Sequence, residues 1–151
     1  MAPPSLSGVD YLQRMLAGDV DHPPMLTLLG ISLVEVAAGR VVLEAAVDQR
    51  HGNGAGVAHG GYSAALLDSA LGLCVNSGAP PGRRFTTVTL NVHLTRPLTR
   101  DAGRLRCEGT LVHLGSRIAT SEARITDEGG KLYAHGSATC IVVAEQGATM
   151  P

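Results

Sequence analysis

Between Tyr62 and Ser77 the chain places Ala64, Ala65, Leu67, Ala70, Leu71, Leu73, Cys74 and Val75 on every side of a helix. A helix that is apolar all round has to be buried on most of its faces. No apolar run approaches the roughly 20 residues of a membrane span, because Gly, Asn and charged residues interrupt every stretch, so the cover must come from the chain itself. The flanking sequence supplies strands. Ile31 to Val36 and Val41 to Val47 read as a hairpin across Ala37-Ala38-Gly39-Arg40. After the turn Gly78-Ala79-Pro80-Pro81-Gly82, residues Phe85 to Leu94 alternate, with Val88, Leu90, Val92 and Leu94 facing one way and Thr87, Thr89, Asn91 and His93 the other. Three further strands, Gly103 to His113, Arg117 to Thr126 and Lys131 to Val143, follow across tight turns. Ahead of them, Val9, Leu12, Met15 and Leu16 predict a short leading helix, and Pro23-Pro24 opens a brief second one that Gly30 closes. This order predicts an α+β fold, an antiparallel sheet wrapped around a long central helix with a short N-terminal helix. It forms a single domain over residues 1–151, with the core at about 25–143 and loose ends.

Composition narrows the function. Twelve Lys plus Arg against 13 Asp plus Glu give a net charge of −1, which provides no field to attract nucleic acid or an anionic membrane. Cys74, Cys107 and Cys140 form no C-x-x-C pair, and the chain opens without a basic, apolar signal segment, so a cytoplasmic, reducing setting is expected. Aromatics make up only 3% of the residues, so the core has to be built from aliphatic and small residues packed closely.

Asp68 is the only charged side chain between Gly60 and Gly82. An unpaired carboxylate in such surroundings suffers a desolvation penalty, so it either lines a polar cleft or is retained for chemistry. A wet helix stripe would equally accommodate it. The segment before the helix favours chemistry. His51-Gly52-Asn53-Gly54-Ala55-Gly56-Val57-Ala58 delivers His59-Gly60-Gly61 to the helix N-terminus, where unobstructed backbone amides and the helix dipole favour a developing oxyanion. Asp68 lies eight residues past Gly60, about 12 Å along a helix axis, so the two meet only if a turn follows Gly61 before the helix starts or if the site is completed across a subunit boundary.

The segment His51 to Gly61 resembles H-x-N-x-x-G-x-x-H-G-G followed by a carboxylate nine residues after the second His, the signature of hotdog-fold acyl-CoA thioesterases of the phenylacetate-degradation (4-hydroxybenzoyl-CoA thioesterase-like) family. Thr86-Thr87-Val88-Thr89-Leu90-Asn91 and Arg96-Pro97 resemble the family's next strand. The resemblance implies that the Gly60 amide holds the thioester carbonyl, assisted by His59 or Asn53. It implies further that Asp68 is the nucleophile or general base, and that Thr87 positions the water or the carboxylate. Gly61, Asn91, Arg96 and Arg117 are the expected substrate and CoA contacts. It also implies a homo-oligomer, a dimer that shares its active sites and pairs again into a tetramer, with Asp68 of one chain working beside Gly60 of the other. The expected substrate is an acyl-CoA, an aromatic one as the first choice, with CoA entering as part of the substrate and no separate cofactor or metal.

Other chemistry finds less support. Gly61-Tyr62-Ser63-Ala64-Ala65 departs from G-x-S-x-G at its last position, six scattered histidines show no H-E-x-x-H spacing, and the glycines end in no G-K-[ST]. Two rivals share the fold. A hydroxyacyl thioester dehydratase would use His59 with Asp68, and a non-catalytic acyl-CoA-binding protein would have no need of Asp68.

Overall fold

The computed structural model describes residues 5–143; the loose C-terminus expected from Glu145 to Pro151 lies outside the described residues. Helices α1 (Gly8–Ala17) and α2 (Pro24–Leu29) precede the hairpin β1 (Ser32–Ala37) and β2 (Arg40–Ala46). Next come the long helix α3 (Gly60–Ser77) and strands β3 (Arg84–Leu94), β4 (Arg104–Leu114), β5 (Ile118–Asp127) and β6 (Leu132–Val143). The strands form one antiparallel six-stranded sheet in the order β1-β2-β4-β5-β6-β3, so β3 lies at an edge, paired only with β6. The order of elements is the expected one, and the fold is the hotdog arrangement, a sheet curled around α3.

The central helix is buried as its composition demands. Leu66, Leu67, Ala70, Leu71, Cys74 and Val75 have no exposed surface, and neither do Val41, Leu43, Leu105, Cys107, Ile125 and Cys140 on the strands facing them. Each buried leucine contributes on the order of 2 kcal/mol of transfer free energy. Helix and sheet approach closely because the contact positions are small. A methyl group at Gly109 of β4 would lie 2.5 Å from the Ala70 carbonyl oxygen of α3, and one at Gly136 of β6 would lie 3.6 Å from Leu67 Cδ1 of α3. The polar groups drawn into this layer are satisfied locally. Ser121 Oγ donates to the Leu71 carbonyl at 3.1 Å, and Ser77 Oγ donates to the Cys74 carbonyl while accepting from Gly39 N–H.

One strand departs from its expected pattern. The strict alternation over Phe85 to Leu94 is broken by a β-bulge, because Thr87 pairs with Cys140 while Thr89 pairs with Thr139, leaving Val88 unmatched. An extra residue reverses the facing of everything on one side of it. Leu90, Val92 and Leu94 share the helix-facing side with their partners Ala138, Gly136 and Ala134, and Thr87 shares that same side through Cys140. Asn91, paired with Ser137, points to the opposite face.

Because the atoms closest to Gly109 belong to the α3 backbone, which cannot yield by a rotamer change, Gly109→Ala is expected to destabilise the protein by about 2 kcal/mol. Thermal unfolding should show this as a midpoint lowered by roughly 4–8 °C.

Candidate active site

The α3 residues that are only partly buried form a single stripe: Gly60, Ala64, Ala65, Asp68, Ser69, Gly72, Leu73 and Asn76. Their spacing of one, then three or four, marks one helix face. Apart from Leu73 and Asn76 they are small, and the face looks toward the β3 edge of the sheet. Gly72 places its open Cα opposite Thr87, since a methyl group there would find only Thr87 Oγ1 within 4 Å, at 3.8 Å. Asp68, one turn earlier, exerts its charge on the Cys140 thiol. Its Oδ1 is buried and has no hydrogen-bond partner among the described residues. A buried polar atom without a partner calls for an explanation, and a carboxylate oxygen costs more to leave bare than a neutral group.

Strand β3 is held against this face from the helix side. Asn76 donates from Nδ2 to the Phe85 carbonyl at 3.1 Å and accepts from Phe85 N–H at 3.0 Å, so one side chain acts as a strand partner two residues before Thr87. Thr87, two residues past the inward Phe85, faces inward with it, and the bulge at Val88 then sends Thr89 and Asn91 to the outer face. The structure therefore brings Thr87 and Asp68 to the same side of the sheet.

The other half of the expected site lies at the N-terminus of α3. The loop entering it is ordered by its own hydrogen bonds. Asp48 caps a short 3₁₀ turn over Gln49–His51, and Arg50 holds the Asp48 carboxyl down at about 2, so the cap stays ionised at neutral pH. His51 accepts from Asp48 N–H through Nδ1 at 3.1 Å and stacks on Tyr62 with ring centroids 4.0 Å apart; its carbonyl receives His59 N–H at 2.7 Å. Asn53 Oδ1 accepts from Ala55 N–H and Val57 N–H, which builds the turn and fixes which end of the amide is the NH₂. The loop is strapped to the segment after β3 by Ala58 N–H donating to the Leu98 carbonyl at 2.8 Å.

His59 is the N-cap residue of α3, and its Nδ1 accepts from Gly61 N–H at 2.9 Å. That bond takes up the Gly61 amide, so of the two glycines Gly60 keeps a free N–H, with no partner among the described residues. It also assigns the neutral His59 ring proton to Nε2, directed outward as a second donor. Gly60 N–H and His59 Nε2–H thus form a donor pair at a helix N-terminus, with the Asn53 amide on the same loop. In one chain this pair stands about 12 Å along the helix axis from Asp68, as the spacing requires.

The remaining expected contacts divide. Gly61 is exposed, and its N–H is engaged in the helix cap. Asn91 lies on the outer face of the sheet, away from Asp68, because the bulge interrupts the alternation from which its facing is expected. Arg96 is exposed beside the glycine loop and donates from Nε to the Leu132 carbonyl at 3.2 Å, whereas Arg117 sits in the β4–β5 turn at the far end of β3, its carbonyl accepting from Val142 N–H. Arg100, which nothing in the sequence sets apart from the other arginines, lines a cavity of about 190 Å³ with Asn53, Gly56 and Ala58 beside the loop. A larger cavity of about 510 Å³, lined by His93, Arg106, Glu108, Glu122, Arg124 and His135, opens on the outer sheet face and includes none of the expected site residues.

Comparison with known proteins agrees with this geometry. Human acyl-coenzyme A thioesterase 13 is 32% identical over 114 residues, covering 72% of this chain and 77% of the relative. The proofreading thioesterase EntH of Klebsiella pneumoniae is 31% identical over 107 residues, covering 71% and 77%. A crystallised variant of the phenylacetic acid degradation protein PaaI from Thermus thermophilus superposes with a TM-score of 0.71 at 31% identity, covering 79% of this chain and 98% of that one. A profile of the thioesterase superfamily matches residues 55–134, which run from the glycine loop through α3 and the first strands after it into β6. On the family match and these identities, the chain belongs to the thioesterase superfamily and is a thioester hydrolase.

Proposed function

We propose that the protein hydrolyses an acyl-CoA to the free acid and CoA at a site assembled from two copies of the chain. The observation that carries this reading is the buried, unpartnered Oδ1 of Asp68 on the half-buried stripe of α3. The Gly60 N–H, with His59 or Asn53, receives the thioester carbonyl oxygen. Asp68 of the other copy either attacks the carbonyl carbon, or removes a proton from a water molecule that does so. Negative charge then builds on the carbonyl oxygen against a donor already in place, which stabilises the transition state more than the ground state. Collapse of the tetrahedral adduct breaks the carbon–sulfur bond and releases CoA thiolate. If Asp68 attacked, water hydrolyses the resulting anhydride and restores the carboxylate. Thr87 orients the carboxylate or the water. The chemistry calls for no metal or further cofactor.

The reading of a shared site is supported by an unfinished edge. Strand β3 has one open side, and Val88 and Leu94 on it are 52% and 55% exposed. Pairing this edge with its copy would cover apolar surface and satisfy the free backbone groups. It would also bring a second α3 N-terminus toward Asp68, and these dimers would pair again into tetramers. The buried free thiols of Cys74, Cys107 and Cys140 are consistent with a cytoplasmic location. Aromatic acyl groups remain the first choice of substrate, with Arg96 and Arg117 as candidate CoA contacts.

Asp68→Asn and Asp68→Ala are expected to lose nearly all turnover of benzoyl-CoA, phenylacetyl-CoA and straight-chain acyl-CoAs in a free-thiol assay; wild-type rates in both would discard the assignment. The Gly60 amide can be tested directly. Gly60 is the first residue of α3 and is preceded by His59 at φ −59°, ψ 138°, a conformation that suits a following proline. Gly60→Pro deletes the N–H while keeping the helix, and kcat should fall on the order of 10²–10³-fold. Mixing the Asp68→Asn and Gly60→Pro proteins under conditions of subunit exchange should restore roughly a quarter of wild-type activity, since half the random dimers hold one intact site of two. No restoration after verified exchange would rule out a site divided between chains.

A further inference from the structure

We infer that Cys140 is a positioning residue for the hydrolysis: its thiol donates to Thr87 Oγ1 and thereby turns the threonine hydroxyl toward Asp68. The inference rests on the role proposed for Asp68 and adds a member that neither the motif nor its spacing contains.

The backbone of Thr87 is set by Asn76 and by the bulge, but its hydroxyl is not. Among the described residues the one side-chain hydrogen-bond contact of Thr87 Oγ1 is with Cys140 Sγ, its direct cross-strand partner, at 3.9 Å, a distance at which either atom can be the donor. Cys140 has no exposed surface, and the facing β6 positions Ala134, Gly136 and Ala138 carry no polar side-chain atom, so the sulfur has no other side chain of its own strand to turn to. Burial raises the thiol above its ordinary value and the Asp68 charge adds to that, while the Thr87 contact lowers it, with burial the largest effect. The group stays protonated at neutral pH and acts as a donor rather than as a thiolate nucleophile.

A hydroxyl has one proton and two lone pairs. When S–H fills a lone pair of Oγ1, the hydroxyl proton is turned away from sulfur. On the helix side lie the Cα of Gly72, where Thr87 Oγ1 itself is the nearest side-chain atom, and one turn earlier Oδ1 of Asp68, which has no partner among the described residues. A threonine side chain has few χ1 wells, so one weak contact suffices to select among them. The same hydroxyl, held this way, can donate to the carboxylate or to the water beside it.

The test is a double-mutant cycle on kcat and KM, using wild type, Cys140→Ala, Thr87→Val and the double variant, with Cys140→Ser as the conservative replacement. Cys140→Ala should lower kcat roughly two- to tenfold, the worth of one modest hydrogen bond, with KM unchanged. Cys140→Ser, which restores a donor, should recover most of that loss. In the Thr87→Val background Cys140→Ala should have no further effect, because the group it acts through is gone. Equal proportional losses in both backgrounds, or a serine variant no better than alanine, would overturn the inference. If the alanine protein fails to fold, Cys140→Val, which likewise has no donor, replaces it in the cycle with the same expectations. Inactive Asp68→Asn together with an additive cycle removes Cys140 alone; fully active Asp68→Asn removes the acid reading beneath it.

Discussion

The constraint on which the rest of this structure depends is the closeness of one helix to the sheet that encloses it. At Gly109 a single methyl group would run into the α3 backbone, and the α3 residue opposite is Ala70, itself small. Packing at that distance removes Leu66, Leu67 and Leu71 completely from water and leaves no slack for a side chain that needs a hydration shell. A carboxylate can be carried on such a helix only along the one stripe the sheet does not cover. Asp68 is on that stripe, beside the edge strand, and even there one of its oxygens is buried without a partner among the described residues. The fold thus concentrates an unsatisfied acid at the place where its sheet is still open.

The glycine-rich loop solves the opposite problem. Chain with this many glycines would ordinarily lose a large entropy on ordering. Here Asp48, His51 and Asn53 use their side chains on neighbouring backbone amides, and Ala58 and His59 are tied to Leu98 and His51. His59 then occupies the Gly61 amide, which leaves Gly60 as the bare donor at the helix tip. The loop is ordered by polar bonds among its own members, and of the two glycines at the helix tip only Gly60 has an N–H without a partner among the described residues. Gly60 and Asp68 stand at two points of the same helix, and the proposed shared site would use the open edge of β3 to bring a second copy's donor to the acid.

Much of this is readable in the residues. The all-round apolar segment requires a buried helix, and the strand and turn patterns around it require an antiparallel sheet. Asp68 is conspicuous because a charge in that setting needs a reason. The motif from His51 to Gly61 locates the amide donors to the residue. Legibility fails where two elements meet. Alternation carried through Val88 puts Asn91 beside the site, yet a bulge is a property of the pairing between β3 and β6 rather than of either strand. In the sequence Cys140 is only a thiol without a C-x-x-C partner, since nothing local to it tells that it faces Thr87. The resemblance singles out Gly60 over Gly61, but the physical reason, a histidine cap that takes up the Gly61 amide, is visible only in the structure.

The sequence by itself therefore determined which elements form and which residue types are out of place among them, because periodicity, turn chemistry and desolvation act over a few neighbouring residues. The tertiary structure alone decided which face of β3 carries Thr87, which glycine amide stays free, and that Cys140 and Asp68 share a boundary. Each of those depends on the register between segments more than 50 residues apart or on competition among hydrogen-bond acceptors in three dimensions. A one-residue shift in pairing reverses the side of the sheet on which a side chain emerges, and local pattern holds no record of that shift.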